Sequence, residues 1–263
     1  MSRTQQKATI LNNSLLQGSY YRLDMRAAAI APMVLPGQFV HMQLPGFEHR
    51  DLRRPFSLCD VDTSSGGLTL VYKTVGEGTR YLSELRPGSL LDLMGPLGNG
   101  YSTPPADALS VIIGGGYGCA ATYLYARRAP TAPLVLLGGR SRDDLLLVDE
   151  FSALGCEVRV STDDGSEGYY GLVTDLLAEV FEADPAPVLV ACGPNPMLRS
   201  VSRIAAAHGV DAELSLDHVM CCGVGACFAC VVKMKADNAD GWEYVRTCRS
   251  GPVFRSSEIY WED

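Results

Sequence analysis

Two hydrophobic rhythms divide the chain. Up to about residue 100, apolar positions come in short runs broken by glycine and proline. "GQFVHMQLPG" (37–46) alternates across Phe39, His41 and Gln43; "GGLTLVYKTVGEG" (66–78) and "GSLLDLMGPLGNG" (88–100) are further strand-like runs. Short strands at this spacing predict an antiparallel β-barrel or sandwich over residues 1–102.

Beyond a "STPPAD" linker at 102–107 the rhythm changes. "ALSVIIGGG", "APLVLLGGRS", "CEVRVSTDDG" and "APVLVACGPNP" are apolar runs, each followed by a helical pattern. Helices are expected over 117–128, 142–154 and 171–181, and again after "CGPNP". Strands apolar on both sides and alternating with helices predict an α/β unit over 103–213, its parallel sheet covered on both faces. Ligands of such sheets sit beyond the carboxyl ends of the strands. Here those ends read "GGGYG", "GGRS", "TDDGS" and "CGPNP". The remaining segment, 214–263, is too short for a comfortable core of its own and predicts a small lobe held by a metal or cluster.

Composition narrows the classes. A formal charge of −8 argues against a nucleic-acid partner. No apolar run approaches the ~20 residues that span a bilayer, so no membrane partner is expected. "MSRTQQKATILNNSLL" has no signal-peptide core, and a cytoplasmic location follows as an expectation. Nine cysteines there are not a disulfide framework, and five of them lie after residue 220.

Those five supply the sharpest signal. Cys222, Cys227 and Cys230 form C-x4-C-x2-C, with Cys248 downstream, the spacing of plant-type [2Fe–2S] proteins. Gly223 and Gly225 allow backbone N–H groups to approach the sulfurs. A four-thiolate zinc site is the alternative, although zinc ribbons separate their cysteines into two C-x2-C pairs. Cys221 falls one residue out of register and reads as a small apolar neighbour of the loop.

Two further motifs suggest nucleotide cofactors. Arg54-Pro55-Phe56-Ser57 offers a guanidinium for a pyrophosphate and a hydroxyl for a flavin ring, or else a surface arginine. Val71-Tyr72-Lys73 leads into Gly76-x-Gly78-Thr79 and a helix start, an anion site or a plain turn capped by threonine. Gly114, Gly115, Gly116 and Gly118 open a helix after a strand, although Cys119 spoils a true G-x-G-x-x-G. Cys192 and Gly193 end another strand; Cys192 is either part of that site or a buried core thiol. Arg140 and Arg142 stand where an acidic residue would grip a ribose hydroxyl, which leaves NADPH open beside NADH. His41, His49, His208 and His218 form no sequence-local ligand pair, and Asp163-Asp164 read as turn residues.

The order R-P-F-S, Y-K…G-E-G-T, G-G-G-Y-G, D-D-G-S, C-G-P-N-P-M, C-G-V-G-A-C-F-A-C and "VRTCRSGPVF" resembles the electron-transfer subunits of class 1B dihydroorotate dehydrogenases, within the ferredoxin-reductase superfamily. The resemblance spans nearly the whole chain; the cysteine loop and C-x-x-G-P-V-F are its specific part, and Ala121 departs from a usual proline. It implies FAD held by Arg54 to Ser57, Val71 to Lys73 and Gly78-Thr79, NAD(H) at the glycine turn and Cys192-Gly193, and a [2Fe–2S] cluster on Cys222, Cys227, Cys230 and Cys248. It further implies an FMN-containing catalytic partner, two copies of each subunit, and a role in pyrimidine synthesis, with no substrate-oxidising residues on this chain. Two other classes remain: a reductase of ferredoxin or of a hydrogenase-type complex, and a zinc-stabilised, non-enzymatic interaction module.

Overall fold

The computed structural model describes residues 4–46 and 52–262, so His49 lies outside the described residues. The N-terminal strands are β1 (Thr4–Gln17), β2 (Tyr20–Arg26), β3 (Phe39–Gln43), β4 (Arg54–Ser57), β5 (Asp60–Asp62), β6 (Gly67–Lys73) and β7 (Leu90–Leu97). Helix α1 (Glu77–Glu84) links β6 to β7. The strands form one antiparallel sheet in the order β4-β3-β7-β1-β2-β6-β5. Its two edge strands are consecutive pieces of one segment: β4 pairs with β3, and two residues later the Cys59 N–H donates to the Thr69 carbonyl of β6 (2.9 Å). The sheet therefore curls back on itself, as a barrel requires, and Phe56 meets Tyr72 edge to face at 6.0 Å. Val40 and Met42 of β3 point into the barrel core with Leu23, Leu70 and Leu93. Phe39 and His41, of opposite parity, face outward yet are also buried.

The second sheet is built from β8 (Ser110–Gly115), β9 (Leu134–Gly139), β10 (Glu157–Thr162), β11 (Tyr169–Tyr170), β12 (Val188–Cys192) and β13 (Ala212–Ser215). These strands are parallel, in the order β11-β10-β9-β8-β12-β13. The helices are α2 (Ala120–Arg128), α3 (Val148–Ala153), α4 (Leu177–Ala183) and α5 (Asn195–Ala207). Val111, Ile113, Leu134 and Leu136 pack with Leu177 and Val201 on one face; Ile112, Val135, Leu137 and Val190 pack with Tyr125 and Phe151 on the other. Burial on both faces explains strands that are apolar at every position. The barrel joins the second face through Tyr20, Cys59 and Val71.

Three expected helices are shorter than their patterns. Residues 142–154 form a 3-10 turn at Arg142–Asp144, a left-handed Leu147 (φ 61°), and only then α3. The break lets Leu145, Leu146 and Leu147 enter one core, whereas three successive positions of a helix fan over more than half its circumference. Likewise Gly116–Cys119 and Val173–Leu176 are 3-10 turns ahead of α2 and α4.

The C-terminal segment contains β14 (Val231–Lys235), β15 (Trp242–Arg246), α6 (Thr247–Ser250) and β16 (Val253–Arg255). β14 and β15 form a hairpin, and β16 pairs antiparallel with β13 to complete a seven-stranded central sheet. Val232, Met234, Phe254 and Ile259 share the core that holds α4 and α5. Cys230, Cys248 and Met220 pack instead with Phe39 and Leu97 of the barrel. The Asn99 N–H donates to the Gly251 carbonyl (2.6 Å) and its side-chain amide to the Ser250 carbonyl (2.8 Å), fastening the barrel's exit to the tail. No helix among the described residues is long and apolar enough to cross a membrane.

Candidate functional site

Beyond the carboxyl ends of β8, β9 and β12 lies a cleft of about 600 Å³, roofed by Tyr20 and Lys73 of the barrel. Gly115, Gly116 and Gly118 line it, as do Cys192 and Gly193; Gly114 sits one residue back on β8. A Cβ on Gly118 would come within 2.5 Å of the Cys192 carbonyl oxygen, so the two motifs touch backbone to backbone only because one side chain is missing. Cys192 is buried; that burial, with the charge of Asp217, pushes its thiol up to about 12 and keeps it neutral. Arg140 lines the cleft, whereas Arg142 forks onto Glu167 (Nη2 to Oε2, 2.7 Å). Asp163 also lines the cleft, while Asp164 caps its own turn through Ser166 (2.6 Å).

The roof is tied to the sheet by three side chains from distant segments. Tyr20 Oη donates to Asp144 (2.5 Å), and Lys73 Nζ lies 2.9 Å from Tyr20 Oη and 3.4 Å from Asp144. Burial raises the Asp144 carboxyl, but the hydrogen bond from Tyr20 and the charge of Lys73 outweigh it and hold it below the usual carboxylate range.

On the barrel, Arg54 and Gly78 meet: a Cβ on Gly78 would collide with the Arg54 guanidinium, which lies across the N-terminal turn of α1. A guanidinium beside a helix N-terminus suits a pyrophosphate. Thr79 instead serves its own helix, accepting from the Val75 and Gly76 N–H groups at 2.9 and 3.1 Å. Ser57 is exposed at the end of β4, with Pro55 and Phe56 half-buried before it. Tyr72 turns into the barrel, where its hydroxyl donates to Asn13 (3.0 Å), while Val71 and Lys73 face the parallel sheet.

The third constellation is the cysteine loop. Gly223 and Gly225 have φ of 67° and 86°. The Ala226 N–H lies 3.3 Å from Cys222 Sγ. Burial pushes the Cys222 thiol up, but N–H groups of Val224, Cys227 and Ala226 and the Cys227 thiol outweigh it and bring it to about 6. Cys248, brought in by α6, is buried beside Cys230; burial and that second thiol push it up to about 12. Arg246 braces the loop by donating to the Gly225 carbonyl (2.6 Å) and lying 4.5 Å over the Phe228 ring. Among the described residues no three ligand-type side chains converge on one ion. The thiols are gathered pairwise instead, Cys222 with Cys227 and Cys230 with Cys248, as a cluster spread over two irons needs. Cys221 also reaches Cys227, but it is Cys222 that collects the N–H groups.

A second observation bears on the fit. Among the described residues the buried side-chain polar atoms without a partner are both ring nitrogens of His41, Thr247 Oγ1 and Ser161 Oγ. An unpaired buried polar group costs about 1–3 kcal/mol. His41 abuts Gly223, and Thr247 precedes Cys248, so three of the four atoms border the loop. Further acceptors between the thiols are what these residues call for, and the sulfides of an iron–sulfur cluster are such acceptors.

The comparisons with known proteins agree with this geometry. Residues 217–260 match the iron–sulfur cluster binding domain of dihydroorotate dehydrogenase B, and residues 13–101 the oxidoreductase FAD-binding domain. The electron transfer subunit of dihydroorotate dehydrogenase B (NAD(+)) from Geobacillus kaustophilus is 38% identical over 97% of this chain and 98% of its own length. The chain belongs to this family. The Enterococcus faecalis member is 37% identical over 98% of this chain and 99% of its own. Among solved structures, the NADH-dependent reduced ferredoxin-NADP oxidoreductase, studied for flavin-based electron bifurcation, superposes with a TM-score of 0.83. It is 29% identical, over 96% of this chain and 89% of that one. The ferredoxin reductase of carbazole 1,9a-dioxygenase shares the fold at a TM-score of 0.70 and 22% identity, over 80% of this chain and 67% of that one.

For this electron-transfer subunit, sequence reasoning missed Tyr20 and Asp144, the Tyr117–Asp217 pair (2.9 Å), and His41 as a neighbour of the loop. Tyr117 and Asp217 both stand inside the motifs themselves, so their position was a usable signal. Tyr20 and Asp144 are 124 residues apart and carry none.

Proposed function

We propose that this chain passes electrons between NAD(H), FAD and a [2Fe–2S] cluster, and exchanges them with an FMN-containing dihydroorotate dehydrogenase catalytic subunit. The observation that carries the reading is the seat of the cysteine loop. Cys230 and Cys248 pack on Phe39 and Leu97 outside the barrel, directly beside β4 and its R-P-F-S motif. The nicotinamide cleft opens under Tyr20 and Lys73 of the same barrel. One barrel thus borders both ends of the path, supporting units at 1–102, 103–213 and 214–263.

A bound flavin takes up the two electrons of a hydride and gives them up singly, and a [2Fe–2S] cluster carries one at a time. Arg54 and the α1 N-terminus at Gly78 would clamp the FAD pyrophosphate, Thr79 fixes that turn, and Pro55, Phe56, Ser57 and the backbone of Val71 to Lys73 would border the ring. Gly114, Gly115, Gly116 and Gly118 admit the NAD(H) backbone, and Cys192 with Gly193 offers a neutral, water-poor surface to the nicotinamide. Cys222, Cys227, Cys230 and Cys248 hold the cluster. Glu167 engages Arg142, whereas Arg140 lines the cleft, so the site admits NADPH beside NADH. In this reading the subunit works in the cytoplasm, in pyrimidine synthesis, as two copies with two catalytic subunits, and electrons from dihydroorotate reduce NAD⁺.

A second reading, a ferredoxin-type reductase, is favoured by the likeness to the ferredoxin-NADP oxidoreductase. Copurification with the catalytic subunit separates the two. A stable complex containing FMN, FAD and iron, bleached anaerobically by dihydroorotate, is expected. Failure of that subunit to bind, with rapid NADH-driven reduction of ferredoxin, would establish the second reading.

A further inference from the structure

We propose that His41 is a positioning residue for the iron–sulfur centre: its ring donates a hydrogen bond to sulfur at the Cys222 end of the cluster and raises the cluster's reduction potential. This rests on the cluster reading above. His41 is fully buried on the outward face of β3, where its strand neighbours are Pro55 of the flavin motif and Met94. Gly223 lies against it so closely that a Cβ there would stand 2.5 Å from His41 Nδ1. The ring touches the backbone around Cys222 and Arg53, yet neither nitrogen completes a hydrogen bond of acceptable geometry. A neutral imidazole always carries one N–H donor. Buried polar atoms in folded proteins are satisfied in the great majority, so an orphaned ring pressed on a metal-binding loop points to a partner within that loop. Thr247, with its own buried and unpartnered hydroxyl, flanks the loop from the Cys248 side.

A hydrogen bond to cluster sulfur favours the reduced state, which carries the extra negative charge. Through His41, β3 then makes a polar link between the flavin-binding barrel and the cluster, in addition to the apolar contact made by Phe39.

The test is an anaerobic redox titration of the copurified complex, following the cluster by EPR and the flavins by absorbance. His41→Leu should disfavour cluster reduction about tenfold, equivalent to ~59 mV for one electron, with flavin midpoints unchanged. His41→Gln, which keeps an N–H donor, should recover most of that shift. A cluster midpoint in His41→Leu within twofold of the parent, or equal shifts in both variants, would overturn the proposal. If a variant loses its cluster, the parent complex still decides. With ¹⁵N-histidine, pulsed EPR of the reduced cluster should show ring-nitrogen coupling that survives His218→Gln; no such coupling refutes the role. Parent protein without iron would instead refute the cluster reading itself.

Discussion

Around the nicotinamide cleft, several side chains are already paired: Tyr20 with Asp144 and Lys73, Tyr117 with Asp217, Arg142 with Glu167. Its glycine turn is packed backbone to backbone against Cys192. The cysteine loop is the opposite. Two buried thiols adjoin there, and His41 and Thr247 hold buried polar atoms without partners. The first site is held together largely by the protein's own contacts. The second is completed by what it binds, so its cofactor contributes to folding as well as to electron transfer.

The largest expected effect falls on the incomplete site. Cys222→Ser, Cys227→Ser, Cys230→Ser or Cys248→Ser should each abolish or strongly deplete the cluster, measured as iron and visible absorbance per chain. Hydrogen exchange over 217–250 should rise, while strands β8 and β9 stay protected. Equal loss of protection in both regions would erase the contrast.

At the nicotinamide cleft, Gly118→Ala forces a methyl against the Cys192 carbonyl. A destabilisation of about 1–3 kcal/mol is expected, with slower NADH reduction of the flavin and unchanged iron content. Arg54→Ala should weaken FAD retention by about tenfold to a hundredfold, the value of one charge-assisted hydrogen bond, measured by equilibrium dialysis.

Asp144→Asn loosens the roof of the cleft by about 1 kcal/mol. Asp144 titrates below the ordinary carboxylate value. Its contribution is therefore present above that ordinary value, and is lost as pH falls through the lowered one. The stability gap between parent and variant, read by thermal melts, should be full at neutral pH and close below about pH 4. The smallest effect is expected for Cys221→Ser, which should leave the cluster spectrum nearly intact; loss of the cluster there with retention in Cys222→Ser would reverse the register.

Legibility followed distance along the chain. Strand periods at 39–43, 67–73 and 90–97, and the doubly buried strands of the parallel sheet, depend on local alternation and could be read directly. So could the C-x4-C-x2-C loop, whose ligand spacing is local. The leucine run at 145–147 misled because its burial on one side requires a helix break, which periodicity does not announce. His41 looked like the polar member of an alternating strand. Only the docking of the cysteine loop and Cys248 onto the barrel, about 180 positions downstream, turned that face inward. The same long-range docking explains why β16 joins the central sheet, where a separate lobe was expected.

One chain would thus conduct electrons from nicotinamide through flavin to an iron–sulfur cluster. Anaerobic titration of the purified protein with NADH, followed together by absorbance and EPR, tests it most directly. Flavin bleaching and a reduced [2Fe–2S] signal are expected, with Cys248→Ser keeping the bleaching and losing the signal. Colourless protein containing zinc, or a cluster that NADH never reduces, would contradict it.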